Sequence, residues 1–131
     1  NWNFKATGSY DAPWGIRISP VIRHQAGLNF AREISVPASA ATAFGLILPA
    51  STIYADNPED NRQDNIWVFD IRGEKTVNLS SRARIRLFLD GFNLANSSAS
   101  ETITVTTGAN YLRPAAILGP RTLRLGARLL W

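Results

Sequence analysis

The stretch of sequence that decides the fold is Ala83-Arg84-Ile85-Arg86-Leu87-Phe88-Leu89-Asp90. Apolar residues occupy every second position in it, and most of the residues between them are charged. Because successive side chains of a β-strand point to opposite faces of a sheet, this alternation predicts a strand with one apolar and one polar face. The same alternation runs through Trp2–Tyr10, Trp14–Gln25, Trp67–Val77 and Leu123–Trp131. The sequence therefore predicts an all-β chain of about five long strands, paired in order as an antiparallel meander.

The segments between the predicted strands alternate between short and long. Asp11–Pro13 and Ser80–Arg82 have the length of tight turns, whereas residues 26–64 and 95–120 are long, the second including a candidate strand at Thr102–Thr106. Barrels of the outer membrane have short periplasmic turns, long external loops and tilted strands of about 9–11 residues. The pattern therefore predicts part of a large transmembrane outer-membrane β-barrel.

Aromatic residues stand at the ends of the predicted apolar faces. Trp2 and Tyr10 lie at opposite ends of one strand, and Trp14 and Trp67 lie at the ends of two others, as in the aromatic girdles of membrane barrels. The alternative is a soluble β-sandwich or small β-barrel binding module whose apolar face forms its core, since alternation alone fits both folds. Loop lengths, strand lengths and the aromatic ends favour the membrane barrel.

The composition excludes several classes of protein. The 131 residues suffice for one domain, and the absence of cysteine excludes disulfides, zinc-thiolate sites and cysteine nucleophiles. The net charge of +4 comes from basic residues spread along the alternating segments, so no continuous stripe for nucleic acid is expected. No apolar run long enough for a transmembrane helix and no signal peptide is present, which suits a fragment whose targeting signal lies upstream.

The sequence offers two candidate sites, one in a loop and one in a strand. Asp56, Glu59, Asp60 and Asp64 crowd the end of the first long loop, where their oxygens form a weak candidate for Ca²⁺, although a solvated acidic loop is favoured. His24, the one histidine, has no nucleophile motif to serve, and a plain strand-end role is favoured. We therefore expect no cofactor and no enzymatic activity.

The charges of the third and fourth strands predict how they pair. A three-residue turn sets Leu79 opposite Ala83, which places Arg72 opposite Asp90 and Glu74 on the diagonal from Arg86. Shifting the register by two in either direction would place two carboxylates opposite each other, which is unfavourable. We therefore expect Arg72, Asp90, Glu74 and Arg86 to form polar pairs in a barrel lumen.

Two residues depart from the simple pattern. Lys75 falls on the apolar face, where it is tolerated if its amine reaches the headgroup region near the Ser80–Ser81 turn. Pro20 lies within the second strand, where its missing N–H predicts a bulge or an edge.

Several motifs in this order carry a family resemblance. They are Phe69-Asp70-Ile71-Arg72-Gly73-Glu74-Lys75, Leu89-Asp90-Gly91-Phe92-Asn93-Leu94-Ala95-Asn96 and Pro120-Arg121-Thr122-Leu123-Arg124-Leu125-Gly126-Ala127-Arg128. They resemble the D-x-R-x-x-K, D-x-F-N-L-x-N and P-R-x-x-R-L-G-x-R stretches at the C-terminal end of TonB-dependent receptors. Trp14–Ile16 and Arg23–Gly27 resemble an earlier hairpin of the Oar-like receptors, which carry a carboxypeptidase-regulatory-like domain. Trp131 stands where those receptors usually have a final Phe.

The resemblance implies a function for an intact protein in the cell outer membrane of a Gram-negative bacterium. Such receptors import a large nutrient, with energy supplied by the TonB system through a plug inside a 22-stranded barrel. Residues 1–131 would be the C-terminal segment of that barrel, without the plug and the earlier strands, and would transport nothing alone. The expected partners are outer-membrane lipid and the barrel-assembly machinery, which would read the last strand through Leu129 and Trp131.

Overall fold

A computed structural model describes residues 1–45, 47 and 49–131. The strands are β1 (Asn3–Thr7), β2 (Tyr10–Ala12), β3 (Ile16–Gln25), β4 (Asn29–Phe30), β5 (Glu33–Val36), β6 (Ser51–Tyr54), β7 (Asn61–Arg62), β8 (Ile66–Asn78), β9 (Arg84–Phe92), β10 (Ser100–Ile103), β11 (Pro114–Ile117) and β12 (Thr122–Leu130). A 3-10 turn covers Pro13–Gly15, and one short helix, α1, covers Ala38–Thr42. The all-β prediction is confirmed. Among the described residues, no helix is long and apolar enough to span a membrane.

The long strands form one sheet in a first compact unit, which comprises residues 1–26, 65–99 and 118–131. The sheet order is β1-β3-β8-β9-β12, with β2 also beside β3, and all neighbours are antiparallel. The predicted meander is thus confirmed. We call the end with the short connections, between β2 and β3 and between β8 and β9, the turn end. The opposite end, where β3 and β9 pass into the long connections, is the loop end.

The first predicted strand is divided into β1 and β2. Both pair with β3 in one continuous register, from Asn3 opposite Gln25 to Ala12 opposite Ile16. The gap falls at Gly8, whose N–H donates to the carbonyl of Pro20 at 3.2 Å, while Pro20 has no N–H to return the second bond. The interruption predicted at Pro20 therefore appears on the neighbouring strand, and β3 itself is continuous against β8.

The first turn lies further along the chain than predicted. Asp11 and Ala12 belong to β2, and the chain reverses over Pro13–Gly15 instead. Trp14 and Gly15 take left-handed φ angles of 65° and 71°. Glycine adopts this conformation at little cost, so Gly15 favours a turn at this position.

The two long connections contain more structure than the alternation predicted. Residues 27–64 and 100–117 form a second compact unit of short antiparallel pairs: β4 with β7, β5 with β6, and β10 with β11. The candidate strand at Thr102–Thr106 is displaced to Ser100–Ile103. A parallel bridge between Glu33 and Thr106 joins the two connections within this unit.

The main sheet leaves its apolar face uncovered. Strand pairing places the apolar positions of all the long strands on the same side. Those that are exposed include Trp2, Phe4, Tyr10, Ile18, Trp67, Val77, Leu87, Leu89, Leu123, Leu125 and Leu129. Among the described residues, the buried hydrophobic side chains are Ala26, Ala31 and Val68. Within the described residues, the apolar face of the main sheet therefore has no second layer of buried hydrophobic side chains packed over it.

Candidate functional site

The register between β8 and β9 is the one that the charges predicted. Arg72 lies opposite Asp90, Glu74 opposite Phe88, and Thr76 opposite Arg86. The connecting turn closes through a 2.9 Å hydrogen bond from the Leu79 N–H to the Ala83 carbonyl. The hairpin therefore places Arg72 and Asp90 on one face, which we call the polar face.

Asp90 is the centre of the polar face. Its side chain is 3% exposed and accepts hydrogen bonds from Arg72 Nε at 2.5 Å and Nη2 at 3.0 Å. Arg124, directly opposite Asp90 on β12, donates from Nε at 2.8 Å and lies 2.6 Å away through Nη2. We call these three residues the Asp90 bridge. A carboxylate buried this deeply needs such donors, because an unpaired buried charge is strongly unfavourable.

Two phenylalanines on the polar face support the arginines of the bridge. The Arg72 guanidinium lies 5.0 Å from the Phe88 ring centroid, and that of Arg124 lies 5.4 Å from Phe92, both within cation–π range. The Phe88 ring also covers Gly126, where an added Cβ would come within 2.2 Å of the ring. The apolar residue that interrupts the charged alternation of β9 is therefore accommodated by a glycine on β12.

The network continues to β3. Arg23 Nη2 lies 2.9 Å from Asp70 Oδ2, and Asp70 Oδ1 accepts the backbone N–H of Asn93 at 2.8 Å. Glu74 Oε1 lies 3.6 Å from Arg72 Nη1. The diagonal pair of Glu74 with Arg86 is not among the ion pairs of the described residues, so that expectation was wrong. Glu74 pairs instead with Arg72, which lies two positions away on the same strand.

Asn93 anchors the chain where it leaves β9. Its side chain is buried, and its amide donates to the carbonyls of Ser97 at 2.9 Å and Gly119 at 2.8 Å, while its Oδ1 accepts the Ser97 N–H at 2.9 Å. Asn93 and Asn96 have φ angles of 49° and 51°, a conformation that asparagine tolerates better than most residues. This segment fixes where the chain leaves β9 and approaches β12. The asparagine pair after a strand was the sequence signal for it.

Aromatic side chains mark both ends of the apolar face. At the loop end His24 is 3% exposed between two indoles, with ring centroids 4.1 Å from Trp2 and 4.3 Å from Trp67. At the turn end Tyr10 and Trp14 are exposed. His24 is thus a packing residue near the end of β3, consistent with the favoured expectation.

Lys75 and the C-terminal residues also lie on or beside the apolar face. Lys75 Nζ donates to the Trp14 carbonyl at 2.6 Å, so it reaches the Pro13–Gly15 turn and not the Ser80–Ser81 turn, although both are at the turn end. Leu129 is exposed near the end of β12, and Trp131, just beyond it, is 91% exposed.

The acidic residues of the first connection do not converge. Asp56 Oδ1 lies 3.4 Å from Arg32 Nη2, and the Glu59 N–H is held by Asn57 Oδ1 at 3.3 Å. Within residues 1–45, 47 and 49–131, no three acidic, histidine or cysteine side chains gather as a metal site. The structure therefore does not bring Asp56, Glu59, Asp60 and Asp64 together around one ion.

Comparisons with protein-family models, curated proteins and solved structures found no match to this chain. Its function is therefore inferred from the two faces of the sheet and from the motifs in its sequence.

Proposed function

We propose that this chain is the C-terminal barrel segment of an outer-membrane receptor of the TonB-dependent kind, whose intact form takes up a large nutrient. The observation that carries the proposal is the division of the sheet into two faces. One face is apolar and exposed from β1 to β12, and the other carries the charged residues, of which Asp90 is buried and paired with Arg72 and Arg124.

An exposed apolar face of this extent needs a cover. Soluble monomers rarely expose contiguous apolar patches larger than a few hundred Å². Lipid would cover the face formed by residues such as Leu87, Leu89 and Leu125, and a polar lumen would suit the Asp90 bridge. In a membrane protein, intramembrane charges face the interior and pair with one another, as Arg72, Asp90 and Arg124 do.

The height of the apolar face fits a bilayer. From Trp67 to Val77, β8 rises by about 33 Å at about 3.3 Å per residue, or about 25 Å at a tilt of about 40°. An outer-membrane barrel has an apolar band of about 25 Å between its aromatic girdles. Trp2 and Trp67 at one end, with Tyr10 and Trp14 at the other, would occupy the two interfaces.

We expect further strands to pair with the two edge strands of the sheet, β1 and β12. Within the described residues, β1 and β12 each pair on one side. A membrane sheet needs closed edges, because unpaired backbone groups are costly in lipid. The rest of the proposal follows from the motifs that resemble TonB-dependent receptors. Earlier strands would close the barrel, and a plug would couple it to TonB. The assembly machinery would read the last strand through Leu129 and Trp131.

Site-directed spin labelling tests the proposal on neighbouring residues. The chain has no cysteine, so Leu87→Cys and Arg86→Cys each provide a single attachment point on opposite faces of β9. In detergent micelles, we expect the label at position 87 to be accessible to oxygen and that at position 86 to be accessible to a water-soluble nickel chelate.

Two results would contradict the proposal. One is a folded, monomeric chain that stays soluble without detergent, which would favour the soluble binding module. The other is a label at position 87 as accessible to the nickel chelate as the label at position 86. Leu125→Cys provides a second position on the apolar face, should Leu87→Cys disturb the fold.

A further inference from the structure

Three arginines lie together at the turn end of the polar face, and among the described residues no carboxylate forms an ion pair with them. Arg84 and Arg86 occupy alternate positions of β9, and Arg128 of β12 lies directly opposite Arg86. We call these three residues the arginine patch. Like charges directly opposite each other on neighbouring strands are destabilising, so this arrangement lowers the stability of the sheet.

The residues directly opposite the arginine patch on β8 do not neutralise it, although Glu74 and Asp11 line the same cavity as Arg86. The residues opposite Arg84 and Arg86 on β8 are Asn78 and Thr76, which carry no charge. Glu74, on the diagonal from Arg86, is engaged by Arg72. In the described part of the chain, none of the three patch side chains has an ion pair, whereas Arg23, Arg72 and Arg124 each have at least one.

We propose that the arginine patch is a docking site for an acidic polypeptide segment bound in an extended conformation. Arg84 and Arg86 are separated by about 7 Å along the strand, and Arg86 and Arg128 by about 5 Å across it. Carboxylates at every second position of an extended peptide repeat with the same spacing of about 7 Å. Guanidinium groups bind carboxylates through two parallel hydrogen bonds, which adds directional preference to the attraction.

The position of the patch favours a peptide over other anions. Small ligands bind mostly in concave sites, whereas Arg84 and Arg128 are exposed on an open sheet face. Lipid headgroups would accompany the apolar face, and the patch lies on the opposite face. The inference does not depend on the proposed function, because Arg84 and Arg128 are exposed and unpaired on the polar face whatever covers the opposite face.

Binding of a labelled peptide to the 131-residue chain in uncharged detergent tests the inference. The probe is a ten-residue peptide with glutamate at every second position, and the reference peptide has glutamine at those positions. We expect the glutamate peptide to bind, and the double variant Arg86→Gln/Arg128→Gln to bind it at least about tenfold more weakly, since each lost charged contact removes binding free energy. Arg113→Gln, an exposed arginine in the second unit, removes charge without touching the patch and should change affinity less than about twofold.

Several results would overturn the inference. Equal affinity of the unaltered chain and the double variant would exclude the patch, and an equal loss in Arg113→Gln would indicate unspecific attraction. Displacement of the peptide by inorganic tripolyphosphate or anionic lipid at lower concentrations than by unlabelled peptide would assign the patch to phosphate instead. Circular dichroism establishes that each variant is folded, and Arg84→Gln provides a second patch variant should the double variant fail to fold.

Discussion

At the loop end of the polar face, the arginines form ion pairs with carboxylates. At the turn end of β9 and β12, no ion pair among the described residues involves Arg84, Arg86 or Arg128. Arg72 and Arg124 enclose Asp90, and Arg23 contacts Asp70. The same residue type on the same sheet therefore stabilises the fold around Asp90 and destabilises it where Arg86 lies opposite Arg128. The difference fits the proposed docking of an acidic segment at the arginine patch, because the Asp90 bridge already has its carboxylate and the patch does not.

The largest effect is expected from removing the shared carboxylate. Asp90→Asn leaves two guanidiniums without their charged partner, and breaking a buried pair in this way costs about 3–5 kcal/mol. Because the Arg72 and Arg124 side chains are 41% and 57% exposed, we expect a smaller loss. It should be about 2 kcal/mol of unfolding free energy, allowing for solvent screening. Urea unfolding in detergent, followed by tryptophan fluorescence, measures it.

The matched control for this change is Asp60→Asn, an exposed carboxylate in the second unit. It should shift the unfolding midpoint little, since exposed charges contribute about 0–1 kcal/mol. Equal stability losses in Asp90→Asn and Asp60→Asn would show that the Asp90 bridge contributes nothing to the rigidity of the loop end.

A smaller loss is expected from crowding the ring beneath Arg72. An alanine at position 126 would place its Cβ against the Phe88 ring, which must move away from Arg72. Overpacking of this kind costs about 1 kcal/mol or slightly more. The same Gly126→Ala change in a Phe88→Leu background should cost almost nothing in the urea experiment. A similar cost in both backgrounds would mean that Phe88 is not the obstacle.

The smallest effect is a gain in stability. Arg86→Gln removes the repulsion from Arg128 across the strands, and we expect it to stabilise the sheet by about 0.5 kcal/mol. Arg17→Gln is the comparison at the same end, because Arg17 is paired with Asp11 at 2.6 Å and should lose stability or leave it unchanged. Thermal unfolding of both variants in one detergent would decide the question; a loss in Arg86→Gln would remove the distinction between the two ends.

The sequence predicted the strands and one register, because period two and the sign of each charge are local properties. The pairing of Arg72 with Asp90 followed from the short Ser80–Arg82 turn, which leaves few registers open. The contact of Arg124 with Asp90 could not be predicted in the same way. It depends on how the connection from Asn93 to Arg121 sets β12 against β9, and its length leaves many registers open.

Other features could not be predicted from the sequence, because they depend on which residues of neighbouring strands lie opposite each other. The interruption beside Pro20 appears on the neighbouring strand, because the missing N–H of Pro20 faces Gly8. Phe88 interrupts the charged alternation of β9, and its tolerance becomes clear only when Gly126 is placed opposite it. The short strands of residues 27–64 are too brief for their periodicity to separate them from a loop.

The bridge between Glu33 and Thr106 affects the order in which parts of the chain fold. The Glu33 N–H donates to the Val105 carbonyl at 2.9 Å, and the Thr107 N–H donates to the Glu33 carbonyl at 2.7 Å. Pairs such as β8 with β9 close short loops and form early, whereas this bridge must wait until a distant segment is brought close. The first long connection therefore completes its structure only after the second connection has joined it, later than the hairpin of β8 and β9.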